Sequence, residues 1–196
     1  MQDKRIGFFD KLAKNWDSNQ DEVSLKRVID ETNIKKGSAV CDVGTGTGVL
    51  LPYIVEKVEE TGKVIAIDYS SEMIKKAKEK WGKLAVEFVV ADIHNTGFPD
   101  SCFDYVICNA CFPHFEKKKI ALKEIHRILK KGGTIVISHP RGREFVNKLH
   151  REACECIKRD RVFEADILAK LLKQQNFTPL KTIDEPNFYF VSAVKS

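Results

Sequence analysis

Val40-Cys41-Asp42-Val43-Gly44-Thr45-Gly46-Thr47-Gly48-Val49 decides the fold. An apolar run runs into a glycine-rich turn, and an amphipathic segment follows, Val49 to Val58. That is a strand, a loop and a helix. The glycines allow a tight turn and close backbone approach, and the helix behind them presents unpaired N–H groups suited to an anion. A nucleotide-like ligand is implied. The dinucleotide fingerprint Gly-x-Gly-x-x-Gly is not met, because the third glycine falls one place early and Val49 stands where it should be. Asp42, just ahead of the turn, would repel a pyrophosphate and attract a cationic amine. The loop suits a zwitterion.

Outward from this unit, strand-like runs recur at Ala39 to Val43, Val64 to Ile67, Val86 to Val90, Tyr105 to Cys108 and Thr134 to Ser138, then Leu180 to Ile183 and Tyr189 to Val194. Between the first five lie amphipathic segments, Val49 to Val58, Ser71 to Lys80 and Lys118 to Leu129, with Val23 to Glu31 ahead of them. In the third of these Ile120, Ile125, Ile128 and Leu129 form one stripe. Continuous apolar strands joined by helices predict a parallel sheet covered on both faces. The last two strands are too close for a parallel crossover and should pair antiparallel at one edge. Lys130-Lys131-Gly132-Gly133 reads as a helix stop and a turn. In such a sheet ligands bind beyond the carboxyl ends of the strands, so the search narrows to loops starting at Gly44, Asp68, Asp92, Asn109 and His139.

Length and composition fit one globular domain. The chain has 196 residues, 43% apolar and 31% charged, with 11 Gly and 6 Pro, which excludes fibrous and low-complexity readings. Thirty-three Lys and Arg against 28 Asp and Glu leave +5, too mild to argue for a nucleic-acid partner. Met1 to Lys14 lacks the uninterrupted apolar stretch of a secretory signal, and no run approaches the ~20 residues of a membrane span. Six cysteines, Cys41, Cys102, Cys108, Cys111, Cys154 and Cys156, are expected as reduced thiols of a cytoplasmic protein.

Asp42-Val43-Gly44-Thr45-Gly46-Thr47-Gly48 resembles the first motif of class I S-adenosylmethionine-dependent methyltransferases. The resemblance continues in Ile67-Asp68-Tyr69-Ser70-Ser71-Glu72-Met73, in Asp92, in Phe98 to Val106 and in Glu124 to Gly133. Phe9 to Asp17, with Ala13, Trp16 and Asp17, is similar to the entry helix of the ubiquinone/menaquinone-biosynthesis-like subgroup. The resemblance implies an α/β, Rossmann-like, doubly wound seven-stranded sheet, mostly parallel with an antiparallel edge strand, in the order 3-2-1-4-5-7-6. It implies a single domain over 1–196, with 1–35 as a helical lid and 36–196 as the core.

It also implies an enzyme that moves the methyl group of S-adenosylmethionine to a small-molecule acceptor, leaving S-adenosylhomocysteine. The donor's carboxylate would meet the backbone of Gly44, Thr45, Gly46 and Gly48, and Asp42 its ammonium. Asp68, twenty residues past Gly48, would accept from both ribose hydroxyls. Asp92 would accept from the adenine amine, with Tyr69, Met73 and Ile93 against the ring, backbone contacts from Ile93 and Asn109, and Trp16 over the donor. Each carboxylate has a plainer reading as a cap or an Asx-turn residue. Asp104 and Glu124 read as structural, Lys117-Lys118-Lys119 as a solvated helix start, and Met73 and Trp81 also suit ordinary core.

On the acceptor side, His114 and His139 are the catalytic candidates, His114 as a base or as an orienter. Phe8, Phe9, Phe112, Arg141 and Tyr189 are expected to complete an aromatic, partly basic pocket, with Phe188 near its rim. Cys108-x-x-Cys111-x-x-His114 raises a second reading, a soft metal or metalloid held near the donor, or a thiol acceptor. A non-catalytic donor-binding regulatory module is the reading from another class. Homodimerisation stays open.

Overall fold

The computed structural model of the chain describes residues 2–12 and 21–196. Ala39–Val43 forms β1, which pairs in parallel with β2 (Lys63–Asp68) on one side and β4 (Phe103–Asn109) on the other. β3 (Val86–Val90) lies outside β2, and β5 (Leu129–His139) beside β4. β7 (Phe188–Lys195) runs antiparallel between β5 and β6 (Phe177–Glu185), and β6 closes that edge. The order is β3-β2-β1-β4-β5-β7-β6, as expected. Winding reverses between β1 and β4, which opens a crevice at their carboxyl ends.

The helices are α1 (Gln2–Leu12), α2 (Glu22–Thr32), α3 (Leu51–Val58), α4 (Ser71–Trp81), α5 (Lys118–Ile128), α6 (Arg143–Glu152) and α7 (Ala165–Lys173). Leu25, Val28 and Ile29 of α2 and Leu51, Ile54 and Val58 of α3 bury against Val40, Val64, Ala66 and Ile107 on one face of the sheet. Ala121, Leu122 and Ile125 of α5 and Leu168 and Leu172 of α7 cover Cys41, Val43, Val106 and Ile135 on the other. Both faces are therefore dry, which is why the strands read as continuous apolar runs.

Several expectations are corrected. Within residues 1–35, α2 is part of the core through its buried stripe, so of the described residues only α1 stands over the crevice. Lys130–Gly133 is a bulge inside β5: between the pairs Phe103↔Leu129 and Tyr105↔Thr134, β4 advances two residues and β5 five. Gly132, at φ +77°, absorbs the excess. Ile120 leaves the buried stripe of α5 and is exposed. Lys118 is half-buried, its ammonium donating to the carbonyls of Pro113 and Phe115, and burial lowers its pKa. α6 was not legible because its buried positions are Val146, Asn147 and His150 while Phe145 and Leu149 face solvent.

Cys154 and Cys156, expected as thiols, are joined in a disulfide, while Cys41, Cys102, Cys108 and Cys111 are free. The backbone leaves α6 at Ala153 in an extended conformation and then turns. That brings the two Cα atoms to 5.3 Å, a spacing a disulfide can bridge.

Candidate functional site

The loop after β1 is held from below. Asp42, 2% exposed, accepts a 2.6 Å bond from Thr45 Oγ1, and the Thr45 N–H donates to the carbonyl of Ile67. Burial, with Asp68 nearby, raises the Asp42 carboxyl to about 7 although the Thr45 bond opposes it. Gly44 lies at φ +63°, and a Cβ there would stand 2.6 Å from Cys111 Cβ. Gly48 lies at φ +80° beneath Trp81, whose indole N–H donates to the carbonyl of Thr47. The third glycine sits where an aromatic side chain closes over the loop. The sequence spacing thus has a packing cause, and Trp81 is part of the loop's support.

Asp68 ends β2 at the crevice. Its Oδ2 accepts from the Gly46 N–H at 3.0 Å and its Oδ1 from the Ser70 N–H at 2.9 Å. Burial raises its carboxyl to about 6, against the pull of those backbone bonds. Ser70 caps α4 by accepting from the Met73 N–H and donates to Asp10 of α1. Asp92 forms an Asx turn with the His94 N–H and also accepts from His94 Nδ1 at 2.5 Å. His94 Nε2 in turn accepts from the Lys117 N–H, so this bonding assigns the proton to Nδ1.

These groups meet around one cavity of about 370 Å³, a size ordinary for small-molecule sites. Of the residues singled out in the sequence, Gly44, Gly46, Asp68, Tyr69, Met73, Asp92, Ile93, Phe9 and His114 line it. Arg5, His94, Phe115, Glu116, Lys117 and Ile120 line it too, and sequence reasoning missed them. His94 had a signal, two residues beyond an Asp in a turn. Arg5 had none, because its role exists only once α1 packs across the sheet. Phe9 stands edge-on to Tyr69 and to His114, at ring separations of 6.3 and 5.0 Å.

Other expected site residues lie elsewhere. Asp42, Thr45 and Gly48 support the loop from beneath and are not in the cavity wall. Asn109 accepts from Ser138 Oγ between β4 and β5, Phe8 packs on Phe9 behind the wall, and Phe112, 2% exposed, packs on Phe115. Arg141 lies over the ring of Phe145. His139 and Tyr189 are buried against each other, where β5 pairs with β7, with His139 Nε2 and the Tyr189 hydroxyl lacking a hydrogen-bond partner. Burial, with His114 and His150 near, lowers the His139 pKa to about 3, so it is neutral and sealed away. Phe188 is buried on the opposite face with Arg27 over its ring. Trp16, with Ala13 and Asp17, lies outside the described residues.

The soft-metal arrangement does not form. Cys108 is sealed in β4, Cys111 Sγ donates to the carbonyl of Val43, and His114 Nδ1 is bonded to Asp160. Among the described residues no group of three or more His, Cys, Asp or Glu is placed to hold a metal ion.

A fold of this kind is shared with solved structures. The family described as a methyltransferase domain matches residues 34–184. The chain belongs to that family. Demethylmenaquinone methyltransferase of Staphylococcus aureus (strain JH9) is 34% identical over 129 residues, 65% of this chain and 54% of the relative. The chain thus spans about half the length of the curated relatives it matches. A SAM-dependent methyltransferase from Aquifex aeolicus superposes with a TM-score of 0.80 at 25% identity, over 95% of this chain and 98% of that one. The Burkholderia thailandensis 1,6-didemethyltoxoflavin-N1-methyltransferase, solved with bound 1,6-didemethyltoxoflavin and S-adenosylhomocysteine, shares the fold at a TM-score of 0.72 and 20% identity, over 97% of this chain and 86% of that one. The domain is a class I methyltransferase, a family whose cofactor is S-adenosylmethionine.

The cavity fits that cofactor. Asp68, 7% exposed, lines it with lone pairs left on both oxygens, Gly46 brings a backbone of φ +56° to the wall, and Ile67, Tyr69, Met73 and Ile93 offer apolar flanks. No helix among the described residues is long and apolar enough to cross a membrane.

Proposed function

We propose that this chain transfers the methyl group of S-adenosylmethionine to a small-molecule acceptor bearing an acidic X–H group, with His114 Nε2 receiving the acceptor's proton. The observation that carries the reading is one cavity lined by Asp68 and Asp92 beyond the strand ends and by His114. When bound, the donor supplies a methyl group activated by its sulfonium, displaced in line by the acceptor. Asp68 accepts from the ribose hydroxyls and Asp92 from the adenine amine, while the backbone at Gly44 and Gly46 meets the carboxylate. Asp42 sets the loop through Thr45 and biases the local field towards the donor's ammonium.

The acceptor then lies against Phe9, Phe115 and Ile120, a largely apolar surface that excludes water and favours a flat or hydrocarbon-rich molecule. His114 Nδ1 is bonded to Asp160 at 2.8 Å, so its remaining ring nitrogen is the one free to take a proton. α1 covers the site through Arg5 and Phe9. The likeness to demethylmenaquinone methyltransferases puts a demethylmenaquinone-like compound among the acceptors to try first.

Calorimetry with S-adenosylhomocysteine tests the donor site. Asp68→Ala should weaken binding by about 10- to 100-fold, the range for losing hydrogen bonds to a charged group, with the thermal transition retained. Unchanged affinity would remove Asp68 from the ribose. Label transfer from methyl-tritiated donor to metabolite fractions and to a soluble demethylnaphthoquinol tests the reaction. Donor binding with no transfer to any fraction would replace it with a binding module.

A further inference from the structure

Behind His114 lies a network that ties its ring to α1 and α6. Asp160, 7% exposed, accepts from His114 Nδ1 on Oδ2 at 2.8 Å. Arg5 of α1 forks onto the same carboxylate, Nη1 to Oδ2 at 2.8 Å and Nη2 to Oδ1 at 2.9 Å, and Nη1 also donates to the His114 carbonyl at 3.1 Å. The segment carrying Asp160 is itself pinned to α6. His150 Nδ1 donates to the Asp160 carbonyl, and the Asn147 side chain makes a two-point bond with the backbone N–H and C=O of Val162.

We propose that Asp160 is the positioning residue for His114, and that Arg5 makes this positioning depend on α1 being docked. The inference rests on the reading of His114 as the proton acceptor. A neutral imidazole has two tautomers, and an ionised carboxylate accepts but cannot donate. Facing Nδ1, it selects the Nδ1–H form and leaves the Nε2 lone pair for the acceptor's proton. The same carboxylate stabilises the imidazolium once that proton arrives. Burial opposes the charge on Asp160, but the bonds from His114 and Arg5 outweigh it and hold the carboxyl below its ordinary range.

The other groups around the ring are compatible with that role. His150 stands 4.9 Å from His114, ring to ring, and burial lowers its pKa, as it does for His139. The positive charge of Arg5 is shared with Glu116, 3.7 Å from Arg5 Nε, and Lys118 adds a cation whose pKa burial lowers. Asp160 is therefore the carboxylate in direct contact with the imidazole. An anchor for α1 alone would need only the Arg5 fork. Sharing Oδ2 with His114, and giving Arg5 a third bond to the His114 carbonyl, joins anchor and base in one unit.

The test is imidazole NMR on the full chain saturated with S-adenosylhomocysteine, with the His114 signals assigned by their loss in His114→Asn. The wild type should show a slowly exchanging Nδ1–H. In Asp160→Asn, Arg5 claims the single amide oxygen and the NH2 group is left facing Nδ1, so the Nε2–H tautomer should take over, while Asp160→Glu should restore the Nδ1–H form. Arg5→Gln should lose the protected Nδ1–H signal. Once an acceptor is in hand, Asp160→Asn should lower kcat by about 10- to 100-fold, part of the ~10²–10⁴ that general-base catalysis supplies, with KM for the donor within about twofold. Asp160→Asn with an unchanged His114 tautomer would overturn the positioning role, and Arg5→Gln with an unchanged protected signal would overturn the dependence on α1. Undiminished label transfer by His114→Asn would instead sink the proton-acceptor reading while the tautomer result stood, which separates the two failures.

Discussion

At the scale of single residues, the chemistry is set by carboxylates held where water cannot fully solvate them. Asp68, raised to about 6 by burial, must be ionised to accept from two hydroxyls. A bound donor favours the charged form, so binding releases a proton and affinity is lost as pH falls through about 6. Titration calorimetry of S-adenosylhomocysteine from pH 8 to pH 5 should show this weakening. Asp42, raised to about 7, has the opposite linkage to stability. Its folded value lies above its unfolded value, so its stabilising contribution is complete below about pH 4 and is lost as pH rises through about 7. Ligand-free protein should accordingly gain stability relative to Asp42→Asn when urea melts are moved from pH 8 to pH 5. An equal difference at both pH values would remove Asp42 from this linkage.

Among the elements, two junctions decide where the site residues stand. The loop from β1 to α3 needs Gly48 because Trp81 of α4 and Leu51 of α3 close over it. Gly48→Ala would force an L side chain to φ +80° with its Cβ 2.7 Å from Trp81 Cδ1. The strain alone is worth about 1–2 kcal/mol, so the variant should melt earlier and bind donor more weakly, both readable in one thermal-shift series. The second junction is Glu124 on α5, which accepts from the backbone and hydroxyl of Thr96 and from Arg127. Those bonds, that of Arg127 foremost, depress its carboxyl to about 2. A depressed value means stability present above about pH 4.5 and lost as pH falls towards 2. Glu124→Gln should cost about 1.5–3 kcal/mol near neutrality, as for a hydrogen-bonded charge, and the difference from wild type should shrink in acid unfolding curves.

For the molecule as a whole, stability is unevenly distributed. The sheet and its two helical layers form the large cores, whereas α1 rests on a small cluster of Phe9, Met73 and Ile157 with Phe8 and Tyr69 around it. Among its described side chains the polar ties are those of Arg5 to Asp160, Glu116 and the His114 carbonyl and of Asp10 to Ser70. An element so lightly buried opens at a lower free energy than the cores. Amides of α1 should therefore exchange with deuterium well before those of α2, and S-adenosylhomocysteine should slow α1 selectively. Equal protection of α1 and α2 without ligand would contradict this.

The order of the elements was legible because apolar runs and glycine turns are local signals. Ala39–Val43 and Val86–Val90 are strands over the very residues their patterns marked, and the loop at Gly44 carries its turn in its own composition. Asp68 and Asp92 could be placed at strand ends for the same reason. What joins distant segments could not be read this way. Asp160 reaches His114 across 46 positions and Arg5 reaches Asp160 across 155, and nothing near any of the three in sequence announces a partner. His139 begins a loop by sequence yet is sealed by Tyr189, because antiparallel β7 lies directly beside β5. Local periodicity therefore determined the layers and the site's glycine and acidic edge. Packing between remote segments decided which imidazoles reach the cavity and which is sealed away, since burial and hydrogen-bond partners come from the chain's return upon itself.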